Sequence, residues 1–330
     1  ALQAGAVTKD TIIDTNPGYM TLGRFTIRDV PRNNGVLNVT GVITRSSNVG
    51  AAKVAAKMPD QVFYDGVRRF GYGSVPHSGF PGESGGVVLR PARWSGTTKT
   101  TMSYGYGLNV TPLQIATAYS ALANGGRLIA PTFVKGQRNE GQQIIDENVA
   151  KQVVAMMETV VTQGGAKQAA VLGYRVAGKT GTAQVISRKG TAAVNPKSLP
   201  MHLRHRALFV GFAPVENPVI AIAVAVEGGG YGGSAAAPIA RKVFDAYLLG
   251  KMPEGMQPLD SERGTTAIGA TAFDNEDAGA RQAGDLGAAQ LGEHPVQVGV
   301  PTPAPAPAPT TPAAAALPAT PRPTAVEPAR

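Results

Sequence analysis

The spacing of apolar residues predicts five helices in the first 250 residues of this 330-residue chain. Start signals support two of them, since Thr111 is a capping residue followed by proline at the first helical position, and Asp146 precedes another apolar stripe. Glycine pairs at 125–126 and 164–165 end these two helices. The predicted helices cover 47–58, 60–70, 112–123, 146–163 and 235–249.

Between the fourth and fifth predicted helices the pattern changes to short runs rich in β-branched residues. Such runs, separated by turn residues, predict strands over 174–185, 207–213 and 219–226. The short proline-containing connection between the last two strands suits an antiparallel hairpin. Because helices come first, then strands, then one helix, the prediction is an α+β fold with an antiparallel sheet.

The two ends of the chain depart from this pattern. Residues 1–7 are apolar and begin without a start signal, like a helix cut in its middle, so we expect the sequence to be a fragment. From residue 256 the periodicity is lost, and after residue 300 Pro, Ala and Thr repeat, a composition that cannot bury a core. The expected organisation is a partial folded domain over 1–255 and a disordered Pro/Ala-rich tail over 256–330.

Composition and charge narrow the possible functions. The chain is 43% hydrophobic, enough to bury a core, and its lack of cysteine rules out disulfides and thiolate metal sites. Its 31 basic residues outnumber 22 acidic ones, but no basic stripe indicates nucleic-acid binding. His202 and His205 have no acidic partner nearby in sequence, so we predict exposed histidines in a basic loop and no metal site. No apolar run is long enough to cross a membrane.

Two polar stretches precede predicted helices. Ser46-Ser47-Asn48 stands directly before the first one, and taken alone it is a capping cluster for free backbone N–H groups. The second stretch, 103–114, has the sequence SYGYGLNVTPLQ, which taken alone is a glycine-rich loop leading into a capped helix. Neither stretch indicates a function by itself.

A third stretch, Lys179-Thr180-Gly181-Thr182, lies inside a predicted strand. Strand interiors avoid glycine, so glycine beside these residues indicates that another group approaches the backbone closely. With the period of two, Thr180 and Thr182 share one face of the strand while Lys179 points to the other. Two hydroxyls and the N–H groups of an edge strand could bind a carboxylate and an extended peptide. The alternative is an ordinary exposed strand with a salt-bridging lysine.

Ser-x-Asn, the Tyr-Gly-x-Gly loop and Lys-Thr-Gly-Thr follow one another in the order typical of penicillin-binding proteins. In this combination the chain resembles the class B penicillin-binding proteins, and above all the septal, cell-division transpeptidase of Gram-negative bacteria. The resemblance covers about residues 1–250, with similar stretches at 46–53, 103–114 and 232–238. It implies a transpeptidase fold related to serine β-lactamases, with an antiparallel sheet flanked by helices and an all-helical lobe.

One element of the family pattern is absent. The Ser-x-x-Lys motif supplies nucleophile and general base in this family, but no serine among the 330 residues has lysine three positions later. In the family, this motif lies shortly before the stretch that corresponds to residues 1–3. We therefore expect a fold incomplete at its N-terminus, a sheet short of strands and an inactive chain. True loss of the serine is the alternative to truncation.

The resemblance implies catalytic roles for three residues. Ser46 would relay a proton between the nucleophile and the leaving amine, and Asn48 would hold a substrate amide. Lys179 would face the helical lobe near Ser46 and keep the site positive for the substrate carboxylate.

The same resemblance implies that Thr180, Gly181 and Thr182 bind the substrate. The two hydroxyls would hydrogen-bond its terminal carboxylate, and the backbone N–H of Thr182 would form half of an oxyanion hole. The substrates implied are peptidoglycan stem peptides ending in D-Ala-D-Ala, with β-lactams as inhibitors and no cofactor. Further implied are a septal glycosyltransferase and division proteins as partners, and a location at the periplasmic face of the inner membrane, with the anchor outside this chain.

Other functions are compatible with part of this pattern. A D,D-carboxypeptidase or a β-lactamase would share the Ser-x-Asn and Lys-Thr-Gly motifs, and a non-catalytic binding module could keep the fold without the serine. A Gly-x-Gly-x-x-Gly pattern within 228–233 also resembles a dinucleotide-binding loop. No second strand with an acidic residue follows it, so a dinucleotide fold is not predicted.

Overall fold

The computed structural model describes residues 1–30, 33–183 and 205–250. The end of the strand predicted over 174–185, His202 and the predicted tail over 256–330 lie outside the described residues. Within them, no helix is both long and apolar enough to cross a membrane.

The structure contains all five predicted helices, and local capping explains where three of them begin. The Ser47 side chain accepts from the N–H of Gly50, Thr111 and Gln114 form a capping box, and Asp146 accepts from two N–H groups of the next turn. Two short helices, α1 and α4, were not predicted. The helices are α1 Val39–Thr44, α2 Asn48–Ala56, α3 Asp60–Arg69, α4 Thr98–Met102, α5 Pro112–Ala123, α6 Glu147–Thr162 and α7 Ala237–Leu249.

The predicted antiparallel sheet has three strands in the order β11-β10-β9, and each neighbouring pair is antiparallel. Its strands are β9 Ala177–Ala183, β10 Arg206–Ala213 and β11 Ile220–Val226. A π-helical turn, Gly232–Ala236, then leads into α7. Since the described strands pair only antiparallel and no βαβ unit forms around 228–233, the dinucleotide-binding reading is excluded there.

Residues 12–143 also hold short strands that the pattern did not predict. They pair as four two-stranded antiparallel sheets, so the lobe expected to be all-helical is mixed. Each strand has only two to four residues, too few for an alternating pattern to stand out. The strands are β1 Ile12–Asp14, β2 Tyr19–Leu22, β3 Phe25–Arg28, β4 Val36–Asn38, β5 Val87–Val88, β6 Leu108–Asn109, β7 Arg127–Ile129 and β8 Gly141–Gln143.

The helix expected over residues 1–7 is not observed. Gly5 adopts a left-handed conformation with φ 66°, and the N–H of Ala6 bonds to the carbonyl of Ala1 at 3.0 Å. A 6→1 bond around a left-handed glycine is the turn that terminates helices. The apolar residues therefore form a tight turn here.

The middle strand β10 carries the core on both of its faces. Phe209 packs on one face with Phe244 of α7 and Val160 of α6. On the other face, Phe212 packs with Leu122 of α5 and Met157 of α6. Side chains alternate along β10, so the two phenylalanines point to opposite faces of the sheet. Helix α6 contributes a residue to the core on each face and so connects the sheet with the helical lobe. This connection positions the edge strand β9 beside the N-terminus of α2.

Candidate active site

The structure brings Ser46 and Lys179 together although they are far apart in sequence. The Lys179 Nζ donates to Ser46 Oγ at 2.7 Å, across the cleft between the start of α2 and strand β9. It also donates to the carbonyl of Thr180 at 3.0 Å. Ser46 is exposed and has φ 55°, a left-handed backbone that is unusual for a residue other than glycine. Strain of this kind often accompanies functional positions.

Desolvation alters the ionisation of Lys179. The side chain is half-buried and forms no ion pair with a carboxylate of the described residues. Burial lowers the pKa of Lys179 from 10.5 to about 8, because the charged ammonium loses hydration there. The amine therefore remains mainly protonated at neutral pH, and its positive charge can serve a substrate anion.

The loop that carries Ser46 is anchored by hydrogen bonds to a buried carboxylate. Asp29 is 2% exposed, and its oxygens accept from Ser47 Oγ at 2.6 Å and from the N–H of Val49 at 2.9 Å. Asn34 donates a third bond to it at 2.9 Å. A buried carboxylate is tolerated only with such partners. Ser47 is thus the capping residue that the sequence predicted, while Ser46 is turned toward Lys179.

Asn48 lies at the first position of α2, half-buried next to this loop. Its Nδ2 donates to the backbone carbonyl of Arg28 at 2.9 Å, so one donor of the side-chain amide is used within the protein. The amide oxygen and a second N–H are its further hydrogen-bonding groups. The proposed role in holding a substrate amide stays a prediction.

Thr180, Gly181 and Thr182 lie on β9, the edge strand of the three-stranded sheet. All three are half-buried. Thr182 Oγ1 accepts from the N–H of Gly232 at 3.3 Å, which connects the strand to the turn before α7. A Cβ on Gly232 would lie 2.4 Å from the carbonyl oxygen of Gly181, so glycine is required for this close packing.

Several positions that shape the site were not singled out from the sequence. No local pattern marks Asp29, Gly164 was predicted only to end a helix, and Gly232 only belonged to a stretch similar to the family; all three act on the site through tertiary contacts. His205 was expected to be exposed in a basic loop, but it is half-buried, with Nδ1 buried and without a partner among the described residues. Desolvation lowers the pKa of His205. Among the described residues, no group of three acidic or histidine side chains comes together as a metal site would need.

Comparison with known proteins agrees with this geometry. The family profile described as "Penicillin binding protein transpeptidase domain" matches residues 1–245. The chain is 35% identical over 274 residues to the probable peptidoglycan D,D-transpeptidase PbpC of Pseudomonas aeruginosa, covering 81% of this chain and 46% of that protein. It is 37% identical over 255 residues to the peptidoglycan D,D-transpeptidase FtsI of Escherichia coli K12, covering 75% and 41%.

Solved structures show the same likeness. The transpeptidase domain of Burkholderia pseudomallei penicillin-binding protein 3, in its apo form, superposes with a TM-score of 0.66 at 37% identity, covering 78% of this chain and 77% of that one. The chain spans less than half the length of the two curated relatives named above. By profile, sequence and structure, the chain belongs to the penicillin-binding protein transpeptidase domain family, as a member of class B.

Proposed function

We propose that this chain forms the substrate-binding part of a serine-type peptidoglycan D,D-transpeptidase. The single observation that carries the proposal is the 2.7 Å contact of Lys179 with Ser46 at the open edge of β9. It joins a cation, a hydroxyl and the backbone of an edge strand at one cleft. An extended peptide that ends in a carboxylate suits such a cleft.

The chemistry assigned to Ser46 follows from the direction of its hydrogen bond. Lys179 donates to the Ser46 oxygen, so the hydroxyl proton of Ser46 is free to be donated elsewhere. In acyl transfer, that proton would reach the nitrogen of the departing D-Ala as the peptide bond breaks. Ser46 would receive in its place, through the same oxygen, the proton that the nucleophilic serine gives up when it attacks the carbonyl.

The polar residues of β9 would hold the peptide during this step. The hydroxyls of Thr180 and Thr182 would bind the terminal carboxylate, supported by the positive charge of Lys179. Gly181 would let the peptide backbone approach the strand, and the N–H of Thr182 would stabilise developing charge on the attacked carbonyl oxygen. Asn48 would hold the amide of the stem peptide.

The serine that attacks the peptide is not among the 330 residues as a Ser-x-x-Lys motif. Covalent catalysis of this kind needs that nucleophile, so activity would require it from residues outside 1–330. The similarity to FtsI supports septal cell-wall synthesis as the setting. A periplasmic site of action, a glycosyltransferase and other division proteins as partners are part of this proposal.

Labelling with a fluorescent penicillin tests the proposal. The 330-residue chain should remain unlabelled, whereas a longer chain, with a Ser-x-x-Lys segment of the FtsI type joined before Ala1, should be labelled at the added serine. Covalent label on any of residues 1–330 would contradict the assignment, and so would a folded longer chain that does not react.

Product analysis separates the related activities. With a stem pentapeptide and a D-amino acid as acceptor, a transpeptidase forms the exchanged peptide. Predominant hydrolysis of the pentapeptide would indicate a carboxypeptidase, and rapid hydrolysis of the penicillin would indicate a β-lactamase.

A further inference from the structure

The turn that ends α6 lies between the two halves of the candidate site. Gly164 follows the last residues of α6 and approaches the carbonyl of Thr44, two residues before Ser46. Gly165, the next residue, faces the hydroxyl of Thr180 on β9. One short turn therefore contacts both the loop that carries Ser46 and the strand that carries Lys179.

The contact at Gly164 leaves no space for a side chain. A Cβ at this position would lie 2.5 Å from the Thr44 carbonyl oxygen and 2.9 Å from backbone atoms of Val160. These neighbours are backbone, so they cannot rotate away as a side chain could. Val160 is 1% exposed and belongs to the core, and the hydroxyls of Thr44 and Thr159 are hydrogen-bonded beside it. A side chain at 164 would thus push away Thr44, the last residue of α1.

Gly165 differs from Gly164 in this respect. A Cβ at 165 would find Thr180 Oγ1 at 3.7 Å, an ordinary van der Waals distance. Both glycines have backbone angles outside the left-handed region, so alanine suits the backbone at either position. The two neighbouring glycines therefore differ mainly in the space around them, which makes them a matched pair.

We propose that Gly164 is a positioning residue for the pair Ser46 and Lys179. Because it has no side chain, the Thr44 carbonyl oxygen can pack closely against the end of α6, and this close packing sets the distance between Ser46 and Lys179. Relieving a 2.5 Å contact to normal separation needs a movement of about 1 Å. A movement of that size would lengthen the 2.7 Å contact of Ser46 with Lys179 beyond hydrogen-bonding distance. The inference rests on the proposed function only for its catalytic consequence.

Titration of Lys179 in the full 330-residue chain measures this spacing without any enzymatic assay. The protein is labelled with ¹³C at the lysine ε-carbons, and the Lys179 signal is assigned by its disappearance in Lys179→Arg. Gly164→Ala should move the pKa of Lys179 upward from about 8 toward 10.5, because a wider cleft admits water to the ammonium. Gly165→Ala should leave it unchanged.

Two results would overturn the inference: a folded Gly164→Ala protein whose Lys179 titrates as in the wild type, or an equal shift in Gly165→Ala. If Gly164→Ala does not fold, Thr159→Val decides, since it removes the hydroxyl bonded to Thr44 without adding a side chain at 164. It should move the Lys179 titration in the same direction, and an unchanged titration would refute the proposal. Because the experiment measures the titration of Lys179 and no enzymatic activity, its result can be interpreted even if the proposed transpeptidase function is wrong.

Discussion

The two edge strands of the central sheet have the same length and opposite chemistry. Strands β9 and β11 each have seven residues and each pair antiparallel with β10 over seven residues. The sequence of β9 is AGKTGTA, whereas that of β11 is IAIAVAV. In the described part of the chain, neither strand has a second neighbour.

Open edges invite pairing with other chains, and proteins usually protect them with charge or proline. Lys179 provides such protection on β9. Strand β11 has no such residue, and its Ile and Val side chains pack against the core of the α7 side. The comparison indicates that β9 has the composition of a protected edge strand. Strand β11 instead has the uniformly apolar composition of a strand that is buried on both faces.

The largest expected effect comes from removing the charge of the β9 edge. In the longer chain with an added Ser-x-x-Lys segment, Lys179→Ala should slow acylation by penicillin by about 100-fold. The variant loses both the cation and the donor to Ser46. Stopped-flow measurement of the acylation rate would test this.

Lys151→Ala is the matched control, because Lys151 is an exposed lysine whose partner is Glu147 on the surface of α6. Its acylation rate should equal that of the parent protein. If the Lys179→Ala protein reacts as fast as this control, the charge that distinguishes β9 from β11 has no role in acylation.

The next effect concerns the packing under β9. Gly178→Ala places a Cβ 2.6 Å from the ring of Phe209, which is 1% exposed and cannot move freely. We expect a loss of about 1–3 kcal/mol in the free energy of unfolding, the usual cost of overpacking. Gly181→Ala meets Leu208 at 3.2 Å and should cost less. Urea denaturation of both variants measures the difference, and equal costs would contradict the packing argument.

These contrasts show which features a sequence can predict. Start signals placed α5 and α6 correctly because a cap such as the Thr111–Gln114 pair is formed within one turn of chain. The short runs rich in β-branched residues and the proline-containing connection between them likewise predicted the hairpin of β10 and β11. Both features depend on neighbours along the chain, so the pattern contains them.

The geometry of the site depends on contacts that no local pattern records. Ser46 and Lys179 are separated by 133 positions, and only the family resemblance suggested that they meet. The sequence at 46–48 predicted only a helix cap and gave no indication of the left-handed backbone of Ser46. Asp29 gave no sequence signal and Gly164 was predicted only as a helix end, because their roles in the site arise from residues that approach them through the fold. The strands of 12–143 were missed because each has only two to four residues.

A smaller effect should appear at the β11 edge. If its apolar edge is open, the 330-residue chain should self-associate in solution, and Ala225→Lys should weaken that association by about tenfold. Ala225 is exposed, so lysine there adds charge without disturbing the core. Sedimentation at several concentrations gives the dissociation constant.

Leu172→Lys serves as the control for general charge effects. Leu172 is 84% exposed and lies in the connection between α6 and β9, outside the strands of the sheet, so its substitution should leave the association unchanged. A wild-type chain that stays monomeric at high concentration would show that the β11 edge is not available for pairing.

The last effect is the dependence of stability on pH that Lys179 brings to the β9 edge. Its pKa is about 8 in the folded chain and 10.5 without the fold, so the unfolded chain binds more protons between these values. Stability therefore rises with pH across that window, and the cost of desolvating the charge is fully present below pH 8. Compared with Lys179→Met, the wild type should gain stability from pH 8 to 10.5, measured as the difference between their thermal midpoints.

Groups common to both proteins, such as Tyr119, whose pKa burial raises to about 12, cancel in this difference. A constant difference between the two midpoints would mean that Lys179 is fully hydrated at the edge. A rising difference would show that the functional edge is maintained at a cost in stability that the apolar strand β11 does not bear. The two edges would then differ in energy as they do in sequence, with the cation of β9 retained for binding although it weakens the fold at neutral pH.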